Sequence, residues 1–340
     1  MTAEIYVISG FLGAGKTTLI QKLLKEAFQK EKVALIENDF GEISVDAALL
    51  NTGGVEVKEM NSGCICCSLS GNFIKALKEL LDRFHPDKII IEPSGVGKLS
   101  DIAKACADLR VNPHAKVAAK ITVADVKRCK TYLDNFGEFF EDQIKNADVV
   151  LLSRAEEFPD KVNSAYEMIR GINPHALILA KPWDQIKVDE ILSPYCNDHV
   201  CIEQHVHIHD CKCGCECQSG HNHTEHDVTH DHDLNCSCDH SHCSCGHNHT
   251  AEDVFDTVTI QTDQIFSIED LKERVSSMER NTSGTIFRAK GIVRGASGYI
   301  NLQYIPGDIK VTECAVSGNM LCIIGRNLNK QDLLDLFSGK

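Results

Sequence analysis

Gly10-Phe11-Leu12-Gly13-Ala14-Gly15-Lys16-Thr17 follows, after Ser9, on the apolar run Ile5-Tyr6-Val7-Ile8. The octapeptide fits G-x-x-x-x-G-K-[ST]. In that pattern glycine-rich backbone turns its N–H groups around phosphate oxygens, the lysine reaches the β and γ phosphates, and the last hydroxyl holds Mg²⁺. Leu19, Ile20, Leu23 and Leu24 then recur at helical spacing, so the loop joins a strand to a helix. The stretch predicts an α/β P-loop NTPase in which Gly10, Gly13, Ala14, Gly15, Lys16, Thr17 and Thr18 cradle a nucleoside triphosphate. Lys16 is in addition a catalytic candidate, and Thr17 a ligand of the metal.

Outward from the loop, short β-rich runs at 33–36, 88–91, 120–123, 149–152 and 177–179 alternate with helical patterns. This alternation predicts a mostly parallel sheet covered on both faces, over residues 1–195. Residues 196–253 break all periodicity and carry almost no large apolar side chain, so they read as a His/Cys-rich linker, disordered without metal. From 254 the pattern resumes: strands at 285–293, 299–304, 310–316 and 321–324, a helix opened by the Ser267-x-x-Asp270 capping box, and a last helix burying Leu333, Leu334 and Phe337. Residues 254–340 therefore read as a smaller C-terminal α+β domain.

The chain has 340 residues, 43% of them hydrophobic, a formal charge of -14 and 17 cysteines. The length suits two domains. No apolar run has the roughly 20 residues of a membrane span, and the N-terminus lacks the marks of a signal peptide, which predicts a cytoplasmic protein with no membrane partner. Cysteines in such a protein point to thiols and metal ligands rather than disulfides. Residues 203–253 hold ten acidic side chains against one lysine, whereas no basic run occurs anywhere, so nucleic acid is not an expected partner and cations are.

Three further segments carry chemistry. Cys64-Ile65-Cys66-Cys67 sets three thiols in four positions near a helix start, where thiolates form readily and could hold a soft or borderline ion with a position left open; three small buried side chains are the plainer alternative. The strand 89–91 ends in Glu92-Pro93-Ser94-Gly95, placing Glu92 to orient a Mg²⁺-bound or attacking water and the Gly95 N–H to meet the γ-phosphate; a strand-end glutamate can also be merely solvated. In Glu37-Asn38-Asp39-Phe40-Gly41-Glu42, Asp39 or Glu42 could join the Mg²⁺ shell, Glu37 and Glu42 could complete the thiolate site, or each could lie in a solvated acidic turn.

The linker has a ligand-bearing repeat of its own. Cys236-x-Cys238-x-His240-x-His242 recurs seven residues on as Cys243-x-Cys245-x-His247-x-His249, and Cys211, Cys213, Cys215 and Cys217 precede His221-x-His223. Twelve histidines and eight cysteines between 205 and 249 exceed what a polar spacer needs, and alternate spacing puts ligands on one side of an extended chain. Zn²⁺, Co²⁺, Ni²⁺ or Cu⁺ would fit such a set. Trp183, beside Pro182, reads as packing at the domain edge, and Cys106, Cys129, Cys314 and Cys322 read as core.

Residues 10–18, 37–42, 63–67 and 92–95, in this order, resemble the CobW family of metal-chaperone GTPases, relatives of the nickel-handling GTPases of hydrogenase and urease maturation. Residues 143–148, Asn173-Pro174 and Arg288-Ala289-Lys290-Gly291 extend the resemblance into the C-terminal part. It implies GTP hydrolysis, with Mg²⁺, coupled to loading or release of zinc or cobalt into a client metalloprotein; self-association into a homo-oligomer stays open. One departure concerns the base: where the family reads N-K-x-D, this chain has Ser153-Arg154-Ala155-Glu156. Ser153, Arg154 and Glu156 are thus the base-reading candidates, with ATP as an alternative nucleotide. A metal buffer or sensor with little hydrolysis is the alternative function.

Overall fold

The computed structural model describes residues 2–37, 56–59, 72–108, 111, 113–192 and 254–338. The strands β1 (Ala3–Gly10), β2 (Val33–Glu37), β3 (Glu56–Glu59), β4 (Lys88–Glu92), β5 (Ala115–Asp125), β6 (Val149–Ser153) and β7 (Leu177–Leu179) form one sheet in the order β3-β2-β4-β1-β5-β6-β7. Every pairing in it is parallel. Strands buried on both faces read as apolar runs rather than as alternation, and β2 and β6 are buried along their whole length.

The helices α1 (Lys16–Glu26), α2 (Asn72–Phe84), α3 (Leu99–Cys106), α4 (Cys129–Lys145), α5 (Pro159–Ile172) and α6 (Val188–Leu192) cover the two faces. Leu19, Ile20 and Leu23 of α1 and Ile191 of α6 pack on Tyr6, Ile8, Leu35 and Val123. Leu77, Ile102, Phe140 and Ile169, from α2 to α5, pack on Ile5, Val7, Ala34 and Ile91. Alternate residues of each strand thus face opposite helix layers, which places the C-terminal strand ends, and the phosphate loop, along one edge.

A second sheet joins β8 (Asp256–Gln261), β10 (Thr285–Gly295), β11 (Tyr299–Ile305), β12 (Asp308–Cys314) and β13 (Met320–Arg326) in the antiparallel order β12-β11-β10-β13-β8, with β9 (Ile265–Phe266) parallel to β10. Here side chains do alternate. Val293, Ile300, Leu302, Tyr304 and Leu321 pack on Leu271, Val275 and Met278 of α7 (Ile268–Asn281) and on Leu333 and Phe337 of α8 (Lys330–Ser338). Ser267 caps α7, its hydroxyl accepting the Asp270 N–H at 3.0 Å, as the capping box predicts.

All the described residues lie in the first of the two units into which the chain divides. Within the first, an aromatic cluster stitches the two sheets: Phe11 stacks on Phe136 at 5.2 Å, and Phe255 and Phe287 meet the same Phe136 ring at 5.3 and 4.6 Å. Burying each phenylalanine is worth about 1.5–3 kcal/mol, so the cluster contributes to holding the two sheets together.

Candidate nucleotide site

The phosphate loop leaves β1 through glycines whose backbone other residues adopt only with strain. Gly10, Gly13 and Gly15 have φ of +143°, +70° and +108°, in the region L side chains avoid. A Cβ on Gly10 would also sit 2.4 Å from the Val123 carbonyl oxygen of β5. The loop therefore lies directly on the sheet, with α1 starting at Lys16 and its unsatisfied N–H groups open to an anion.

Lys16 is buried, donates to the Gly10 carbonyl at 3.0 Å and lies 3.8 Å from Glu92 Oε1. Glu92 ends β4, and its register partner on β2 is Glu37, also buried. Two carboxylates thus stand on adjacent strands, whose spacing is about 4.8 Å. Lys290 of β10, completely buried, brings a second ammonium from the other sheet. Burial pulls its pKa down to about 8, Glu37 holds it up and Lys16 pushes it down. Four charged groups from both sheets therefore form one compensated cluster under the loop, and any ion added to it must rebalance the rest.

Lys16, Thr17 and Glu92 line a cavity of about 390 Å³ whose opposite wall is the polar face of the second sheet, including Arg288, Gln303 and Lys310. The end of β11 comes close to the loop itself: a Cβ on Gly13 would lie 3.0 Å from the Ile305 side chain. Arg128 donates to the Pro306 carbonyl at 3.1 Å, and Arg154 pairs with Asp308 at 3.2 Å. Tyr132 donates to the Leu12 carbonyl at 3.0 Å from behind.

A neighbouring cavity of about 340 Å³ is bounded by Gly15, Thr18, Ser153, Arg154, Glu156 and Trp183. Trp183 packs against the core of the first sheet, in keeping with the sequence reading, and also borders this cavity. Its indole N–H donates to the Leu152 carbonyl at 3.1 Å, and the ring lies against Gly15. The Arg154 guanidinium is committed elsewhere, to Asp125 at 3.5 Å, Glu157 at 2.9 Å and Asp308. Glu156 is exposed at the cavity, whereas the buried Ser153 hydroxyl has no hydrogen-bond partner among the described residues.

Of the residues singled out in the sequence, the loop, Glu92 and Glu37 come together at one sheet edge, and Ser153, Arg154 and Glu156 stand beside them. Gly95 lies behind the loop rather than in the cavity wall: its Cβ position is 2.7 Å from Leu12 Cδ2, and its carbonyl accepts from Gln143 at 3.3 Å. Asp39, Glu42, Cys64, Cys66, Cys67 and all the linker cysteines and histidines fall outside the described residues. Among the described residues no three His, Cys, Asp or Glu side chains converge as a metal site. Cys106, Cys129 and Cys322 are core as expected, but Cys314 is only half-buried, its sulfur accepting from the Val316 N–H at 3.3 Å. Asp125 was missed, and Trp183 and Arg288 were named without a part in the site; only a strand-end aspartate followed three residues on by Arg128 gave any local sign of Asp125, which pairs with Arg128 at 2.7 Å.

The Thr17 hydroxyl and the Glu92 carboxylate in one cavity wall are a hard oxygen set that suits Mg²⁺. No helix among the described residues is long and apolar enough to cross a membrane. Compared with known proteins, the chain is 33% identical over 150 residues to the zinc chaperone YeiR of Escherichia coli, covering 44% of this chain and 46% of that protein. It is 34% identical over 178 residues to the zinc chaperone CobW of a Sinorhizobium species, covering 44% and 50%. With the zinc-regulated GTPase metalloprotein activator 1 of Dictyostelium discoideum it shares 27% over 242 residues, covering 59% and 50%. The chain spans about half the length of the curated relatives it matches. Residues 4–180 match the CobW/HypB/UreG nucleotide-binding domain and residues 255–339 the cobalamin synthesis protein CobW C-terminal domain, and the chain belongs to the CobW/HypB/UreG family.

Proposed function

We propose that this protein is a metallochaperone that hydrolyses GTP, with Mg²⁺, to load or release a transition metal, zinc first and cobalt or nickel next, into a client metalloprotein. The observation that supports the reading is the register pair Glu37 and Glu92: the carboxylate beside Lys16 stands one strand from Glu37, to which this reading gives the cargo metal. Gain or loss of the γ-phosphate changes the charge that Lys16 and Glu92 feel, and Lys290 passes that change to Glu37. Relatives named zinc chaperones and a zinc-regulated GTPase support the same direction.

In this scheme Mg²⁺, held by Thr17 with Glu92 nearby, supplies charge neutralisation for the phosphates. Asp39 joins its shell, and Glu42, Cys64, Cys66 and Cys67 complete the cargo site with Glu37. The linker sets Cys211 to His223 and Cys236 to His249 concentrate metal near that site by tethering. The β7 side of the loop takes the base, Glu156 accepting from the guanine edge. Steady-state phosphate release with and without Zn²⁺ tests the coupling: Lys16→Ala is expected to remove metal-stimulated turnover. Turnover that ignores both the metal and this change would point to a buffer or sensor instead.

A further inference from the structure

We propose that Arg288, carried by the C-terminal sheet, contacts the γ-phosphate across the cleft and is a catalytic residue of the same hydrolysis; the inference rests on the GTPase reading above. A bulge on β10 prepares it. The pairing of β10 with β13 slips between Ile286 and Arg288, and a bulge re-aims the side chains on either side of it. Phe287 thereby enters the aromatic cluster, edge-on to Phe136 at 83°, while Arg288 turns into the cavity that Lys16, Thr17 and Glu92 line.

One further contact holds the guanidinium in that cavity wall. Its Nη2 is 3.5 Å from Gln303 Oε1, a loose bond that steadies one edge of the fork. The other cation of that wall, Lys310, is exposed and on the outer strand, so Arg288 is the better-buried donor. In the reaction the water oxygen bonds to the γ-phosphorus as the bond from that phosphorus to the bridging oxygen breaks. The electron pair stays on the bridging oxygen of the departing diphosphate, and the proton of the water passes to the phosphate product. A planar guanidinium donating to the bridging and γ oxygens stabilises the charge gathering there.

The test uses the full-length protein with Arg288→Ala and Arg288→Lys. Single-turnover phosphate release, fluorescent GDP affinity and capture of GDP–aluminium fluoride are measured. Arg288→Ala is expected to slow release by at least about tenfold, leave GDP affinity within about threefold and fail to capture aluminium fluoride. Arg288→Lys should recover only part of the rate. Unchanged release and capture in Arg288→Ala would overturn the proposal, as would GDP affinity and rate falling together in Arg288→Ala with Arg288→Lys fully restored, the pattern of a structural cation. If the unsubstituted protein released no phosphate, the GTPase reading would fail by itself. The γ-phosphate contact would then be read from the affinity ratio of a non-hydrolysable GTP analogue to GDP, and a ratio unmoved by Arg288→Ala would sink it.

Discussion

Lys16 and Trp183 illustrate how differently single residues announce themselves. The lysine could be read from eight residues because the pattern itself marks its role, and one of its partners, the Gly10 carbonyl, belongs to the same loop. Trp183 could not, since nothing local tells an indole at a strand end that the turn of Gly15, far away in sequence, lies beneath it. We expect it, as a residue lining the cavity beside the loop, to serve as a platform for the base, and base stacking on an aromatic ring is sequence-tolerant. Trp183→Ala should therefore weaken GTP and ATP binding alike, by about tenfold, or roughly 1.4 kcal/mol. Glu156→Ala should weaken GTP more than ATP, because guanine presents its N1–H and N2–H side by side to that carboxylate, whereas adenine has an acceptor at N1. Competition titrations of both nucleotides check the pair, and an equal loss of GTP and ATP in Glu156→Ala would remove the carboxylate from base reading.

At the scale of elements, long apolar strands were legible and short or interrupted pieces were not. The β6 run Val-Val-Leu-Leu admits one reading. The eight residues of α3 are too few for helical periodicity to register, and the non-helical backbone at Phe136 breaks the repeat of α4 in the middle. The charge-rich Glu-Val-Lys-Glu of β3 carries no apolar run at all. These helices hold two thiols with a shared behaviour. Cys106 ends α3, and Cys129 opens α4, where a helix N-terminus would lower a thiol pKa. Burial wins at both: each is pushed from 9.0 up to about 12. The folded chain keeps these protons where the unfolded chain loses them, so their contribution to stability is complete below pH 9 and is lost as pH rises toward 12. Urea midpoints should fall from pH 9 to 11, and the Cys106→Ala, Cys129→Ala double variant should flatten the start of that fall; an unaltered slope would assign it to the buried tyrosines Tyr6 and Tyr132, whose pKa values burial also raises.

At the scale of the whole molecule, the polar face of the second sheet was the least legible feature. Alternation in β11 reads as the ordinary pattern of a sheet with one wet side, and the sequence gives no sign that this side faces a phosphate loop instead of solvent. The family resemblance covered the order of motifs, but the cluster of Lys16, Glu37, Glu92 and Lys290 joins residues up to 274 positions apart in sequence. Such a site exists only when both sheets are folded against each other.

Phe11 is the place where that dependence becomes practical. It is a residue of the phosphate loop and also a member of the ring cluster that Phe255 completes, at 6.4 Å. The loop's shape is therefore on loan from a segment that follows the linker, and the molecule has the makings of a split reporter. Two polypeptides, 1–195 and 254–340, expressed apart should each fail to retain a fluorescent nucleotide, and mixing them should restore it, with Phe255→Ala weakening the reassembly. Strong nucleotide retention by the first fragment alone would mean that the loop keeps its form without its distant lender.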